Sequence, residues 1–357
     1  MELKKAQTPS ELGYRMPAEW DAHKATWLAW PQNEVEWPGK IDAVRWMYAG
    51  MIRRLVQGER VRLLVNTPAV ERQAREMLTK EGVDTRRVDF LRFRTKRGWM
   101  RDTGPIFIKT RGRGGKRAIV HFHFNAWALY GEWQEDRKVP ERAARQYGID
   151  LFHARHAGRD FVLEGGSIDV NGRGTLLTTE QCLLDQKVQV RNRGLSRSDV
   201  EGVLKANLGV KHVVWLGGGV VGDDTHGHVD DICRFVNRRT IVLAQEKNAK
   251  DVNYRALAEN RERLQSVRLE DGSKPEVVYL PMPGPVRFRG SRLPASYANF
   301  YFSNSAVLVP TFNDPNDRTA LGIISELITD RPVVGIHAVD LVVGRGTLHC
   351  ISQQEPV

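Results

Sequence analysis

The chain has 357 residues, of which 41% are hydrophobic, and this ordinary proportion excludes fibrous and disordered classes. Its cysteines, Cys182, Cys233 and Cys350, are too few and too far apart for a disulfide framework, so we expect a reducing cytoplasm. The net charge of +11 would attract acidic partners. The first residues lack the apolar stretch of a signal peptide, and no apolar run approaches ~18 residues, so we expect neither export nor membrane insertion.

Helical and strand patterns alternate along the chain. Short β-rich runs occupy 61–65, 119–124, 276–280, 306–310 and 332–336, and apolar residues recur at helical spacing in 69–82, 255–267 and 319–328. This alternation predicts an α/β or mixed α+β fold. Because no linker or low-complexity tract divides the chain, we predict one continuous domain over residues 1–357.

One ten-residue pattern occurs twice in the sequence. Phe161–Val170 and Leu341–Cys350 each read as three apolar residues, a turn with glycine, a small hydroxyl residue and an aliphatic residue. Looser copies occur at 98–108, 214–230 and 296–310. Copies at intervals of roughly 50 to 70 residues predict an architecture of about five repeated units.

Each of four copies carries polar residues at a comparable turn. They are Asp102, Glu164, His228 with Asp230, and Cys350. If the units surround a pseudo-symmetry axis, these turns converge on one mouth. Each residue alone also has an ordinary structural interpretation: a turn cap for Asp102, an edge charge for Glu164 and a core histidine for His228.

A cysteine with a histidine is the pair that covalent catalysis requires, because the histidine holds the thiolate and then moves protons. Carboxylates around such a pair disfavour the thiolate, since negative charge raises the pKa of a thiol. They make sense if the substrate is itself a cation. A guanidinium is planar, permanently charged and a bidentate partner of carboxylates, and it matches that requirement.

A metal site is the competing interpretation of His226–Asp231. On a strand, the spacing of His226, His228 and Asp230 would place them on one face, which allows ligation without requiring it. No HExxH motif or second cluster accompanies them, so we predict no metal and no cofactor. Cys182 and Cys233 stand in apolar segments and are predicted to be packed thiols.

Separate stretches of the chain resemble the agmatine deiminase family, part of the guanidine-modifying pentein superfamily that also includes bacterial peptidylarginine deiminases. They span nearly the whole chain in the family's order. The stretches are MPAEW, TWLAWP, WMRDTGP, LEGGSIDVNGRGTLLTTEQCLL, DDTHGHVDD, SYANFYF and HCISQQEP.

The resemblance implies the pentein fold, a five-bladed pseudo-symmetric α/β propeller that forms a single catalytic domain. By motif position it implies Cys350 as nucleophile, His228 as proton donor and acceptor, and Glu164 as the carboxylate that orients His228. Asp102 and Asp230 would grip the guanidinium. The expected reaction is hydrolysis of agmatine to N-carbamoylputrescine and ammonia through a covalent amidino-cysteine intermediate, without a cofactor.

Further residues bear on the substrate. Trp30 and Trp99 are predicted to wall a narrow slot, and Gly346 is predicted to contact the substrate beside the nucleophile. The family usually has GGGN where residues 344–347 of this chain read GRGT, so a bulky cation replaces a glycine. His226 stands where relatives often have Asp or Asn. Both departures concern the far end of the substrate.

Two alternatives stay open at this point. Peptidylarginine is the other substrate, and it would need a mouth wide enough for peptide backbone. A pI of about 9.7 and the basic segment 111–117 suggest instead a nucleic-acid-binding protein, although a solvated hairpin loop is the ordinary interpretation of that segment. No RNA- or DNA-recognition signature accompanies it, so we expect a small guanidinium partner. The sequence leaves a homo-oligomer open.

Overall fold

The computed structural model describes residues 7–112 and 114–357. Arg113, one residue of the basic segment, and the first six residues of the predicted domain lie outside the described residues. No helix of the described chain has the length and apolar character that a membrane crossing requires. The helices are α1 (Ile41–Leu55), α2 (Pro68–Lys80), α3 (Met100–Thr103), α4 (Val139–Tyr147), α5 (Glu180–Leu183), α6 (Arg197–Leu208), α7 (Tyr254–Gln265) and α8 (Asn316–Leu327).

Short strands separate these helices along the chain. In order they are β1 (Tyr14–Arg15), β2 (His23–Ala29), β3 (Arg60–Leu64), β4 (Val88–Leu91), β5 (Ile106–Thr110), β6 (Arg117–His121), β7 (Asp150–His153), β8 (Arg155–His156), β9 (Arg159–Asp160), β10 (Asp169–Val170), β11 (Thr175–Thr179), β12 (His212–Leu216), β13 (Cys233–Phe235), β14 (Thr240–Gln245), β15 (Glu276–Pro281), β16 (Arg287–Phe288), β17 (Ser291–Arg292), β18 (Tyr301–Phe302), β19 (Val307–Thr311), β20 (Val333–His337) and β21 (Gln353–Pro356). The predicted α/β class is confirmed, and each predicted helix or strand overlaps an observed one.

Five sheets of the described chain share one plan, in which an antiparallel pair is followed by a parallel strand that a helical crossover reaches. Parallel neighbours need such a crossover, whereas antiparallel ones accept a short turn. Of the basic segment, the described residues 111, 112 and 114–116 lie between β5 and β6, in agreement with the predicted hairpin loop, and Arg117 begins β6. The five sheets contain β5–β6–β7, β10–β11–β12, β13–β14–β15, β18–β19–β20 and β21–β2–β3.

Local sequence signals fix both ends of the crossover helix α6. The Ser196 hydroxyl accepts from the Asp199 backbone N–H, and the Asp199 carboxylate accepts in return from Ser196, so α6 begins at a capping box. Gly209 ends the same helix in the left-handed conformation, with φ of 64°. These caps set where the chain enters and leaves the crossover between β11 and β12.

A single kind of turn carries the residues that the sequence singled out. In four of the five sheets, one such residue comes shortly before the first strand of the antiparallel pair, and in the remaining sheet Asn299 takes that place. Since the sheets share one plan, these turns occupy equivalent places. The residues are Asp102 before β5, Glu164 before β10, His228 before β13, Asn299 before β18 and Cys350 before β21.

Candidate active site

A cleft of about 600 Å³ opens where these turns meet. Asp102 and Cys350 line it directly. Glu164, His228 and Asp230 lie beneath them, each no more than 1% exposed. The structure therefore brings together all five residues that the resemblance made catalytic.

The Cys350 thiol is held between an amide and a carboxylate. Asn299 Nδ2 donates to Cys350 Sγ at 3.0 Å, and Sγ lies 3.8 Å from Asp230 Oδ2. The backbone N–H of Ile351 donates to the Thr347 carbonyl, closing the turn that presents the thiol. The sulfur thus has a donor on one side and an acceptor on the other.

The electrostatic surroundings keep this thiol protonated in the free site. Burial raises the pKa of Cys350 well above its ordinary value, and the carboxylates of Asp230, Asp231 and Asp102 raise it further. A cation bound among those carboxylates would offset their charge and lower the thiol pKa again. The site is therefore suited to a nucleophile that is activated when a cationic substrate binds.

His228 is an imidazolium poised between carboxylates. Its Nε2 lies 3.5 Å from Glu164 Oε2 and its Nδ1 lies 3.9 Å from Asp102 Oδ1. Burial lowers the pKa of His228, but the charge of Asp102 and the contacts with Cys182 and Glu164 outweigh burial and raise it well above its ordinary value. Arg191 donates to Glu164 Oε1 at 2.9 Å. Burial would raise the Glu164 pKa, but Arg191 and His228 lower it to about 2.

Two hydrogen-bond donors orient the Asp102 carboxylate. The Gly166 backbone N–H donates to Oδ1 at 3.1 Å and the Trp127 indole donates to Oδ2 at 3.0 Å. Burial and the neighbouring charges of Asp230 and Glu164 raise the pKa of Asp102 to about 6. A Cβ at Gly166 would lie 2.5 Å from His228 Nδ1, so only glycine leaves room at this point of the site.

Asp230 is anchored from below by His349. The Nδ1 of His349 lies 2.6 Å from Asp230 Oδ2, and its Nε2 lies 2.7 Å from Glu19 Oε2. Because ionised carboxylates only accept hydrogen bonds, a ring between two of them donates from both nitrogens and is cationic. Burial would raise the pKa of Asp230, but the hydrogen bond and charge of His349 lower it. Arg101 and Arg234 also contact Glu19, so the buried charges compensate one another.

Three buried polar atoms of the site make no hydrogen bond within the described chain. Glu164 Oε2 and His228 Nε2 face each other at 3.5 Å, and Asp230 Oδ1 lies beneath the cleft without a donor, so a ligand that donates a hydrogen bond there would supply the missing partner. Two of the three are carboxylate oxygens, which require donors. The atoms are Glu164 Oε2, His228 Nε2 and Asp230 Oδ1.

The family model that describes the Porphyromonas-type peptidyl-arginine deiminases matches residues 15–356. The chain belongs to this family. It is 34% identical to the agmatine deiminase of Ectopseudomonas mendocina over 98% of this chain and 97% of that protein. The solved agmatine deiminase of Enterococcus faecalis superposes with a TM-score of 0.89 at 30% identity, covering 100% of this chain and 99% of the other. A C. jejuni agmatine deiminase with substrate bound gives a TM-score of 0.83 at 28% identity, covering 96% of each chain.

In this peptidyl-arginine deiminase family member, the predicted aromatic wall is partly wrong. Trp99 and Gly346 line the cleft, and a Cβ at Gly346 would lie 3.1 Å from Cys350 Sγ. Trp30 does not line it: the ring is 1% exposed, packs edge-on against Tyr48, and belongs to the core around α1. The second indole of the cleft is instead Trp127.

The metal interpretation of His226–Asp231 also needs correction in this deiminase. Residues 226–228 form a turn instead of a strand, with His226 at φ 66°, and β13 begins only at Cys233. His226 Nε2 lies 2.8 Å from Asp185 Oδ2, and His226 does not line the cleft. The predicted common face of His226, His228 and Asp230 therefore does not form.

The deiminase site contains two groups of three side chains that could each hold a cation. Within each group, one ligand atom of every side chain lies within 4.8 Å of the other two. One group contains the Cys350 thiol and the other contains the His228 imidazole, each with its neighbouring side chains. Cys182 and Cys233 are fully buried among apolar residues, in agreement with packed thiols, yet Cys182 also lies beside His228. The groups are Glu164, Cys182 and His228, and Asp230, Asp231 and Cys350.

Sequence reasoning missed three site residues of the deiminase. Asn299 lies in the repeat copy 296–310 and drew no chemical prediction, although its amide contacts the thiol. His349 is adjacent to Cys350 in sequence, and a histidine next to a candidate nucleophile was the available signal. Trp127 lies in a loop without any such signal, in a turn where Ala126, Trp127 and Ala128 all have positive φ.

Arg345 lines the mouth of the deiminase cleft in the left-handed conformation, with φ of 70°. Its guanidinium donates to the Gly222 carbonyl at 2.9 Å and lies 3.8 Å from Asp224 Oδ2. The Tyr130 hydroxyl donates to the same Asp224 oxygen at 2.6 Å. Arg345 is thus tied to the loop around Asp224 and keeps its charge at the far end of the cleft.

Proposed function

We propose that the chain is a hydrolase that converts agmatine into N-carbamoylputrescine and ammonia through an amidino-cysteine intermediate. The observation that carries the proposal is the position of the Cys350 thiol beside the buried carboxylates Asp230 and Asp102. A planar cation that bonds to both carboxylates would have its central carbon close to the sulfur. Membership of the deiminase family and the curated agmatine deiminases among its relatives support the same reaction.

The first half-reaction forms a carbon–sulfur bond and breaks a carbon–nitrogen bond. Guanidinium binding offsets the carboxylate charges, so the Cys350 proton passes to solvent and the thiolate adds to the guanidinium carbon. The His228 imidazolium gives its proton to one amino group, which leaves as ammonia. The product is a cationic amidino-thioether on Cys350, and His228 is now neutral.

The second half-reaction replaces sulfur with oxygen. Neutral His228 takes a proton from water as the oxygen adds to the amidino carbon, which restores the imidazolium. Collapse of this intermediate expels the Cys350 sulfur, which takes up the hydroxyl proton and returns to the thiol, while the ammonia released in the first half-reaction takes a proton from solvent and becomes ammonium. Glu164, held ionised by Arg191, stabilises the imidazolium at both stages.

We also propose that the five sheets are the blades of a pentein propeller in a single catalytic domain over residues 1–357. The shared plan of the sheets supports this arrangement, as does the pairing of β21 with β2, which joins the two ends of the described chain in one sheet. Each blade would contribute one turn to the central cleft. The roles assigned above to Asp102, Glu164, His228, Asp230 and Cys350 are part of the same proposal.

Peptidylarginine is the second candidate substrate. The observation that favours it is the mouth of the cleft, where the cationic Arg345 would repel the terminal amine of agmatine but tolerate the neutral backbone of a peptide. The inner cleft favours agmatine, because Trp99 and Trp127 can stack on a cationic, otherwise apolar chain. The cytoplasmic location, a homo-oligomer and the absence of nucleic-acid binding stay predictions.

Ammonia release measured in parallel with agmatine, free arginine and a blocked peptidylarginine tests the proposal. We expect kcat/KM for agmatine to exceed that for the peptide by at least tenfold. If kcat/KM for peptidylarginine equals or exceeds that for agmatine, peptidylarginine is the substrate and the agmatine assignment is wrong. Absence of ammonia release from all three, with salt-sensitive retention on nucleic acid, would favour the nucleic-acid-binding class instead.

A further inference from the structure

A third group of side chains that could hold a metal ion lies outside the cleft, at the ends of β6 and β7. His121 is the last residue of β6 and His153 the last of β7, and they are paired in the register of these parallel strands. Their ring centroids are 5.2 Å apart. Glu141, in the first turn of the crossover helix α4, completes the group. The single plan of the sheet thus brings together three ligating residues that are distant in sequence.

The spacing of the donor atoms matches a tetrahedral metal site. One donor atom of each of the three side chains lies within 4.8 Å of the other two, and His121 Nδ1 lies 3.5 Å from Glu141 Oε1. With zinc–nitrogen and zinc–oxygen bonds of about 2.0 to 2.1 Å, two ligands of a tetrahedral ion lie about 3.4 Å apart. His121 and Glu141 already have this spacing, and the distances to His153, at most 4.8 Å, close with small side-chain movements.

The His121 ring is buried, and its nitrogens are free to bind a metal ion. The residue is 9% exposed, and neither ring nitrogen makes a hydrogen bond within the described chain. Its 3.5 Å contact with Glu141 is too long for a hydrogen bond that would satisfy the ring.

The corresponding positions of the other sheets do not offer such a set. The paired residues that end the two parallel strands are Ala29 and Leu64, Thr179 and Leu216, Gln245 and Pro281, and Thr311 and His337. None of these pairs contains two imidazoles or thiols. The pair His121 and His153 is therefore particular to this sheet and is not a requirement of the shared plan.

We propose that His121, His153 and Glu141 form a binding site for a divalent transition-metal ion of the Zn²⁺ type. Two imidazole nitrogens and one carboxylate oxygen would be the protein ligands, and water would take the fourth position, because His153 is exposed and leaves one side open to solvent. The ion would join β6, β7 and α4 and is not part of the deimination chemistry. The site is thus independent of the proposed hydrolase function.

Zn²⁺ titration followed by calorimetry tests the site, in the Cys350→Ala chain so that the thiol of the cleft cannot bind the ion. We expect one Zn²⁺ per chain, and at least 100-fold weaker binding after the added substitution His153→Ala, which changes an exposed residue. His337→Ala is the matched control, since His337 is the exposed last residue of the equivalent strand β20, and its binding should equal that of the Cys350→Ala chain. Co²⁺ should give the intense visible absorption of a tetrahedral site, and His153→Ala should abolish it.

Equal Zn²⁺ affinity with and without His153→Ala would overturn the proposal, and so would the absence of binding at 100-fold molar excess of Zn²⁺. Glu141→Gln gives a second, independent measurement, for which we expect at least tenfold weaker binding. In the otherwise unchanged chain, His153→Ala and chelation by EDTA should both leave agmatine turnover at the parental rate. A loss of turnover in either case would show that the ion takes part in deimination and would contradict the proposal that the metal site is independent of the reaction.

Discussion

His349 provides the sharpest test of how the guanidinium grip is built. Replacing His349 with Gln keeps a polar side chain but removes the cation between Asp230 and Glu19. A hydrogen bond to a charged group contributes about 1.5 to 3 kcal/mol, and the contact between His349 Nδ1 and Asp230 Oδ2 is 2.6 Å. With about 1.4 kcal/mol for each factor of ten, kcat/KM for agmatine should fall roughly 10- to 150-fold.

The pH profile distinguishes a positioning role from a general loss of structure. In the parent, protonation of Asp102, whose pKa is raised to about 6, should weaken the grip as the pH falls through about 6. The pKa of Asp230 is held down by His349, so in the variant Asp230 keeps its proton to a higher pH. Burial then raises the Asp230 pKa without the compensation from His349, so a second carboxyl joins Asp102 in the acid limb of kcat/KM, which should become steeper and move to higher pH in His349→Gln.

The assay is ammonia release from agmatine across the pH range, with circular dichroism and thermal melting to establish that the variant is folded. His337→Gln, at an exposed position, is the matched control and should reproduce the parental profile. If folded His349→Gln keeps kcat/KM within twofold of the parent and an unmoved acid limb, His349 does not position Asp230.

Three further substitutions test the rest of the site. Cys350→Ala should abolish ammonia release without unfolding the chain, because no other nucleophile is proposed. Asp102→Asn should lower kcat/KM for agmatine at least tenfold at pH 8, since a charge-assisted hydrogen bond of about 1.5 to 3 kcal/mol is lost. Arg345→Gly should lower the KM for agmatine without lowering the melting temperature, because it removes a cation from the mouth and glycine accepts a φ of 70° without strain.

The controls for these substitutions come from the same chain. Cys233→Ala removes a buried thiol outside the cleft and should stay active. Appreciable ammonia release by Cys350→Ala would refute the covalent mechanism, and a near-neutral Asp102→Asn would remove that carboxylate from the grip. An unchanged KM in Arg345→Gly would show that the charge of Arg345 does not reach the substrate amine.

The parts of the fold that depend on local pattern were predictable. The segments 69–82, 255–267 and 319–328 became α2, α7 and α8, because their apolar stripes need a sheet to cover them. The candidate catalytic residues at the turns were predictable because the same sequence pattern surrounds them in several units. The ring of Trp30 was misplaced, since a motif reveals that a residue is buried but not which side of the sheet buries it.

Contacts between distant segments explain what the sequence could not reveal. Glu19 meets His349 at a separation of 330 residues, and the two residues precede β2 and β21, which pair with each other. Trp127 reaches Asp102 from an irregular loop that has no periodicity to interpret. Such contacts depend on how the five units are arranged around the cleft. The sequence shows that the units are similar but does not give their order in space.

The turn at residues 126–128 has a consequence for the evolution and engineering of this chain. Three successive residues with φ of 53°, 58° and 52° each occupy a conformation that costs an L-amino acid about 1 to 2 kcal/mol. Glycine at positions 126 and 128 would relieve that cost, yet it would also free the indole of Trp127 to leave Asp102. Selection for heat resistance alone would therefore favour glycines here and yield a hardier but less active protein.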